Sequence, residues 1–102
     1  MLILPIKKKW YDMILSGEKK EEYREQKYYY DKRFQSIGLI DEDWMIIPNK
    51  KVQVMFRNGY SSKSPYFIAE VSLTCGEGKE EWGAENGVEY YKLHIEKIWM
   101  KN

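Results

Sequence analysis

Tyr66-Phe67-Ile68-Ala69-Glu70-Val71-Ser72-Leu73-Thr74-Cys75 alternates along its whole length. Phe67, Ala69, Val71, Leu73 and Cys75 fall on one side of an extended chain; Tyr66, Ile68, Glu70, Ser72 and Thr74 fall on the other. A period of two with one apolar side is the pattern of a half-buried strand, and it places the Cys75 thiol inside as an inert, packed group. Upstream, Val52, Val54 and Phe56 alternate with Gln53, Met55 and Arg57. Asn58-Gly59 and Ser61-Ser62-Lys63-Ser64-Pro65 supply the connection between these two strands. Downstream, Tyr91, Leu93 and Ile95 alternate with Tyr90, Lys92, His94 and Glu96 in a last strand that reaches Trp99. Met1-Leu2-Ile3-Leu4, closed by Pro5, reads as a short first strand.

Between these strands the period changes. Ile6, Trp10, Met13 and Ile14 recur at helical spacing, and Gly17 follows as a left-handed cap, so residues 7–16 read as a helix. Lys7, Lys8 and Lys9 fill its first turn, where cations oppose the helix dipole. Two readings fit them, solvated surface lysines and a deliberately positive site. Tyr28-Tyr29-Tyr30-Asp31-Lys32-Arg33-Phe34-Gln35-Ser36 lacks alternation and ends before Gly38, which predicts a second short helix with at least one tyrosine exposed. Asp41-Glu42-Asp43-Trp44 reads as a turn. Glu80-Glu81-Trp82-Gly83-Ala84-Glu85 reads as a loop or short helix with acids around one Trp. Short strands with peripheral helices predict a small α+β protein, a mostly antiparallel barrel of five or six strands whose closure removes exposed edges.

The 102 residues suffice for one domain. Hydrophobic residues are 43% and aromatics 16%, enough for a core and against disorder. No apolar run approaches a membrane span and no signal peptide is read, so the expectation is a cytoplasmic protein without membrane contact, assumed monomeric. One Cys and one His build neither an internal disulfide nor a structural zinc site, so neither metal nor cofactor is expected. Residues 1–67 hold thirteen Lys/Arg against nine Asp/Glu, a balance of +4, while residues 68–102 hold four against seven, a balance of −3. That asymmetry suits a basic face opposite an acidic one, and chance partition in a small chain fits it as well. His94 sits on the polar side of the last strand with no Ser or Cys placed to form a triad, which reads as a surface histidine. Gly76-Glu77-Gly78-Lys79 is too short for a phosphate loop.

Gly17-Glu18-Lys19-Lys20-Glu21-Glu22-Tyr23-Arg24 is charged on both sides of an extended chain. Either it is an edge strand protected by charge, or some charges enter the interior, where they must be paired or used. Glu22 and Arg24 lie two apart on one side, and a bulge at Lys20-Glu21 would bring Lys19 beside them. Gly17-x-Lys19-x-x-Glu22-x-Arg24 resembles the G-x-K-x-x-E-x-R signature of the ASCH domain family, part of the PUA-like superfamily of small β-barrels. The first strand ending in Pro5-Ile6, the helix ending Ile14-Leu15-Ser16-Gly17, the strand through Ala69-Glu70-Val71 and the last strand, Tyr90 to Ile98, extend the likeness over essentially the whole chain. Phe56-Arg57-Asn58-Gly59-Tyr60 and Glu81-Trp82-Gly83-Ala84-Glu85 resemble a small bacterial and phage branch.

The resemblance implies a single PUA-like β-barrel domain over residues 1–102, mixed or antiparallel, with two or three short peripheral helices. It also implies an RNA, nucleotide or nucleoside ligand in a cleft formed by Lys19, Glu22, Arg24, Tyr23, Glu70 and Trp82, with no cofactor. Lys19 and Arg24 would meet phosphate or base edges, and Tyr23, the Tyr28-Tyr29-Tyr30 run and Trp82 would offer stacking faces, although the reading that favours each ring as core is the stronger, because so small a barrel needs them for packing. One bacterial branch of the family is a metal-free amidohydrolase of N-acylated cytidine, which uses the motif lysine, a threonine three residues later and a later glutamate. This chain keeps Lys19, carries Glu22 at the threonine position, and offers Glu85, or Glu80 or Glu81, as the further acid. A protein-interaction module without a ligand is the third reading.

Overall fold

The computed structural model describes residues 1–101, with the side chains of Met100 and Lys101 outside the description. In chain order the elements are β1 (Ile3–Ile6), α1 (Lys8–Leu15), β2 (Glu21–Glu25), α2 (Tyr28–Ser36), β3 (Val52–Asn58), β4 (Tyr66–Glu77), a single 3-10 turn (Glu80–Trp82) and β5 (Glu89–Lys101). The strands form one mixed sheet in the order β1-β3-β4-β5-β2. β1 runs parallel to β3, and the other neighbours are antiparallel. Among the described residues no backbone ladder joins β1 to β2, so these two strands are the ends of the order.

β4 is central because its alternation suits it to burial on one side. Phe67, Ala69, Val71 and Leu73 are 0–1% exposed. Its partner β5 departs from simple register between Phe67 and Ala69 and between Glu70 and Val71, and such bulges increase local twist. Cys75 corrects the sequence reading, since it is exposed. β3 stops pairing with β4 at Val71, so the far end of β4 carries Cys75 past the layer that covers its inner neighbours. Pro5 also lies inside β1 rather than after it. An edge strand needs its amides on one side only, which tolerates a proline.

α1 caps the core through Tyr11 and Ile14, so the deepest stripe includes Tyr11, which the spacing had not singled out. Tyr11 packs on Phe67 with ring centroids 5.1 Å apart, and Phe67 on Phe56 at 5.3 Å. Fully burying a Phe contributes about 1.5–3 kcal/mol, so this aromatic column is a principal support of the fold. Gly17 adopts φ +84°, and the turn folds back far enough for Lys19 N–H to donate to Met13 O at 2.9 Å. α2 buries Phe34, which meets Tyr91 edge-on at 5.1 Å. Of the three adjacent tyrosines, Tyr28 is 63% and Tyr29 52% exposed, whereas Tyr30 stacks toward Phe34.

Candidate functional site

β2 turns Glu22 inward, in register with the fully buried Leu93 of β5. Lys19 reaches the same interior, though not through a bulge. The β2–β5 ladder continues without interruption to Ile95 N–H donating to Lys20 O at 2.9 Å, and the turn at Gly17-Glu18 is what aims Lys19 beneath α1. The Lys19 ammonium lies 3.2 Å from Glu22 Oε1 and donates to Trp82 O at 2.6 Å. The ring of Trp10 stands 5.0 Å away and that of Tyr23 4.8 Å away. It is an ammonium in a box made of one carboxylate, one carbonyl and two aromatic faces.

Arg24 completes the group. Its Nη1 donates to Glu22 Oε2 and, at 2.8 Å, to Tyr23 O. Its Nη2 donates to Pro5 O at 3.0 Å, so this side chain spans the gap from edge strand β2 to edge strand β1. Side-chain exposures are 1% for Lys19, 7% for Glu22 and 12% for Arg24. Burial pulls Lys19 below the ordinary lysine value; Glu22 acts in the opposite direction without cancelling it. Burial also pushes the Tyr23 hydroxyl up.

A cleft of about 730 Å³ opens beside this group, between β1 and β2, and includes Glu22, Tyr23 and Arg24 in its lining. Lys7, Lys8, Trp10, Tyr30 and Tyr60 share that lining. A second cavity of about 620 Å³ adjoins it through Arg24, Tyr30 and Tyr60 and adds Lys27, Tyr29 and Arg33. Both lie in the size range of small-ligand pockets. The other residues singled out from sequence fall elsewhere. Lys19 lies behind the lining, and Trp82 meets it through a backbone carbonyl while its ring carries Lys79. Glu70 sits on β4 opposite Gln53 and Lys97, with β5 between its strand and β2. Glu85 is exposed, its amide donating to the Tyr90 hydroxyl at 3.1 Å. Trp10 and Tyr60 had no signal in the sequence beyond their type, since only the fold brings them to the cleft.

The chain matches no family model, no curated protein and no solved structure.

The segment after β4 covers Lys19. Lys79 N–H donates to the Tyr23 hydroxyl at 3.0 Å, and a Cβ at Gly78 would stand 2.5 Å from the Tyr23 ring. No side chain fits there without displacing the ring or the loop. Gly78→Ala is expected to cost about 1–3 kcal/mol, as overpacking does, and to speed hydrogen exchange at the Lys79 amide. Urea unfolding and amide exchange check this, and an unchanged Lys79 amide would show that the loop does not rest on Tyr23.

Proposed function

We propose that the protein is a small nucleotide-binding domain of the ASCH kind, a PUA-like barrel with its seam at β1 and β2, and that single-stranded RNA or a nucleotide occupies the cleft at that seam. The observation that carries this reading is the cleft's lining: Lys7, Lys8 and Arg24 interleaved with Trp10, Tyr30 and Tyr60. Cations suit phosphate, aromatic faces suit unstacked bases, and the combination is the chemistry of single-strand binding. Arg24 has five donor hydrogens, and three are engaged in the bonds described above, which leaves capacity for a phosphate or base edge. In this reading Lys19 lies behind the ligand, and Glu22, at the cleft wall, holds Arg24 at the seam.

A net charge of +1 and so few cleft cations predict modest affinity that falls along a shallow salt slope. Fluorescence anisotropy with short single-stranded RNA and with mononucleotides, from low to moderate salt, tests it. Folded protein that retains neither at low salt would refute this reading.

The amidohydrolase reading has one observation in its favour, the burial that lowers the Lys19 pKa. Against it, Lys19 is already bonded to Trp82 O and Glu22, and Glu22 supplies no hydroxyl. Incubation with N-acetylcytidine is expected to release no cytidine. Release that Lys19→Ala and Glu22→Ala both abolish would establish the hydrolase in place of simple binding.

A further inference from the structure

The outer face of the sheet carries a second constellation, joined to the cleft through Tyr23. Glu21, Thr74 and His94 alternate with the buried Glu22, Leu73 and Leu93, so strand parity turns all three outward. Register sets Glu21 directly across from His94, and Lys92 directly between Tyr23 and Thr74. Thr74 Oγ1 lies 2.6 Å from His94 Nε2, and Glu21 Oε2 lies 3.4 Å from His94 Nδ1. The other carboxylate oxygen of Glu21 accepts the Tyr23 hydroxyl at 2.8 Å. The carboxylate beside Nδ1 favours the tautomer with its proton there, which leaves Nε2 as an acceptor for the Thr74 hydroxyl. The sequence contains no Ser or Cys beside His94, and the threonine arrives only through pairing of β4 with β5.

We propose that Thr74, His94 and Glu21 form a nucleophilic relay that accepts acyl groups from activated esters. Hydroxyl, imidazole and carboxylate stand in the order such a relay requires, which is recognised by geometry rather than by position in the chain. As Thr74 Oγ1 bonds to the ester carbonyl carbon, its proton passes to His94 Nε2. The tetrahedral intermediate collapses by breaking the bond to the leaving oxygen, which departs with that proton, and leaves an acyl-threonine. Water, losing a proton to the same nitrogen, then attacks; the threonine oxygen leaves with that proton, and the carboxylic acid is released. Lys92 stands opposite Thr74 in register, with its ammonium donating to Glu77 O at 3.3 Å, and Glu21 is a positioning residue. Thr74 is exposed on an open sheet face, so a substrate gains little binding energy there. The class of substrate is therefore aryl esters or thioesters, whose leaving groups need little assistance.

p-Nitrophenyl acetate is the probe. The expected result is a burst of about one equivalent of nitrophenolate with an acetyl group located on Thr74 by peptide mass mapping. Thr74→Val abolishes the burst, and His94→Asn slows it by about 100-fold or more, the usual scale of a lost general base. Around His94 on this face stand Glu21 and Tyr23 from β2, Lys92 and Glu96 from β5, and Ser72, Thr74 and Glu70 from β4. Glu21→Gln is expected to lower the burst rate, and Glu21→Asp, which keeps the carboxylate, to restore part of it, which a purely structural role would not do. Circular dichroism verifies that each variant is folded. Acetylation confined to lysines, or an equal burst from Thr74→Val, overturns the proposal.

Discussion

Glu22→Ala is expected to lower the unfolding free energy by about 3–5 kcal/mol, the cost of removing one partner from a buried ion pair. Among the described residues the carboxylate is the one that pairs with both Lys19 and Arg24, and both cations lie almost out of solvent. Without it, among the described residues, the Lys19 ammonium keeps the Trp82 carbonyl and two ring faces, and Arg24 keeps two carbonyls and the Tyr30 ring. A domain of this size has about 5–15 kcal/mol of stability in total, so the variant stands near the limit of folding at room temperature. Lys19→Met is expected to cost less, because a flexible apolar chain can fill the aromatic box while Glu22 retains Arg24. Urea midpoints at constant m-value measure both. A loss below about 1 kcal/mol for Glu22→Ala would mean that the group behaves as an exposed ion pair.

Arg24→Ala is expected to weaken binding of single-stranded RNA by about 1–3 kcal/mol, or up to about a hundredfold. The guanidinium borders both cavities, and it is the side chain that links β2 to β1. Arg24→Lys separates charge from geometry. It keeps the cation and hence most of the salt slope, but loses the fork that bonds Glu22, the seam and the ligand together. Anisotropy titrations at low salt, on variants shown to be folded, give the comparison. Equal affinity for parent and Arg24→Ala would remove this residue from the site.

What could be read from the sequence was whatever is local. The alternation of residues 66–75 marked β4, and helical spacing with Gly17 marked α1 to within a residue. The charged stretch after Gly17 pointed to Lys19, Glu22 and Arg24, and these three do meet. What depends on pairing between distant strands was not readable. Thr74 and His94 are each visible as outward positions, but nothing in the chain says that β4 and β5 bring the hydroxyl to the imidazole, or that β2 adds Glu21. Cys75 shows the same limit from the other side. Its parity was read correctly as that of Leu73, yet its burial depended on how far β3 accompanies β4. Trp82 was weighed for its ring, whereas the fold uses its carbonyl, a group that every residue possesses and no sequence pattern reports.

The seam between β1 and β2 is the proposed binding face. Titrating short single-stranded RNA into isotopically labelled protein at low salt, and following backbone amide resonances, tests it most directly. The account predicts shifts concentrated at Lys7, Lys8, Trp10, Arg24, Tyr30 and Tyr60, with Cys75 and Glu85 unmoved. Shifts confined to the outer face around Thr74 and His94, or none at any RNA concentration, would contradict it.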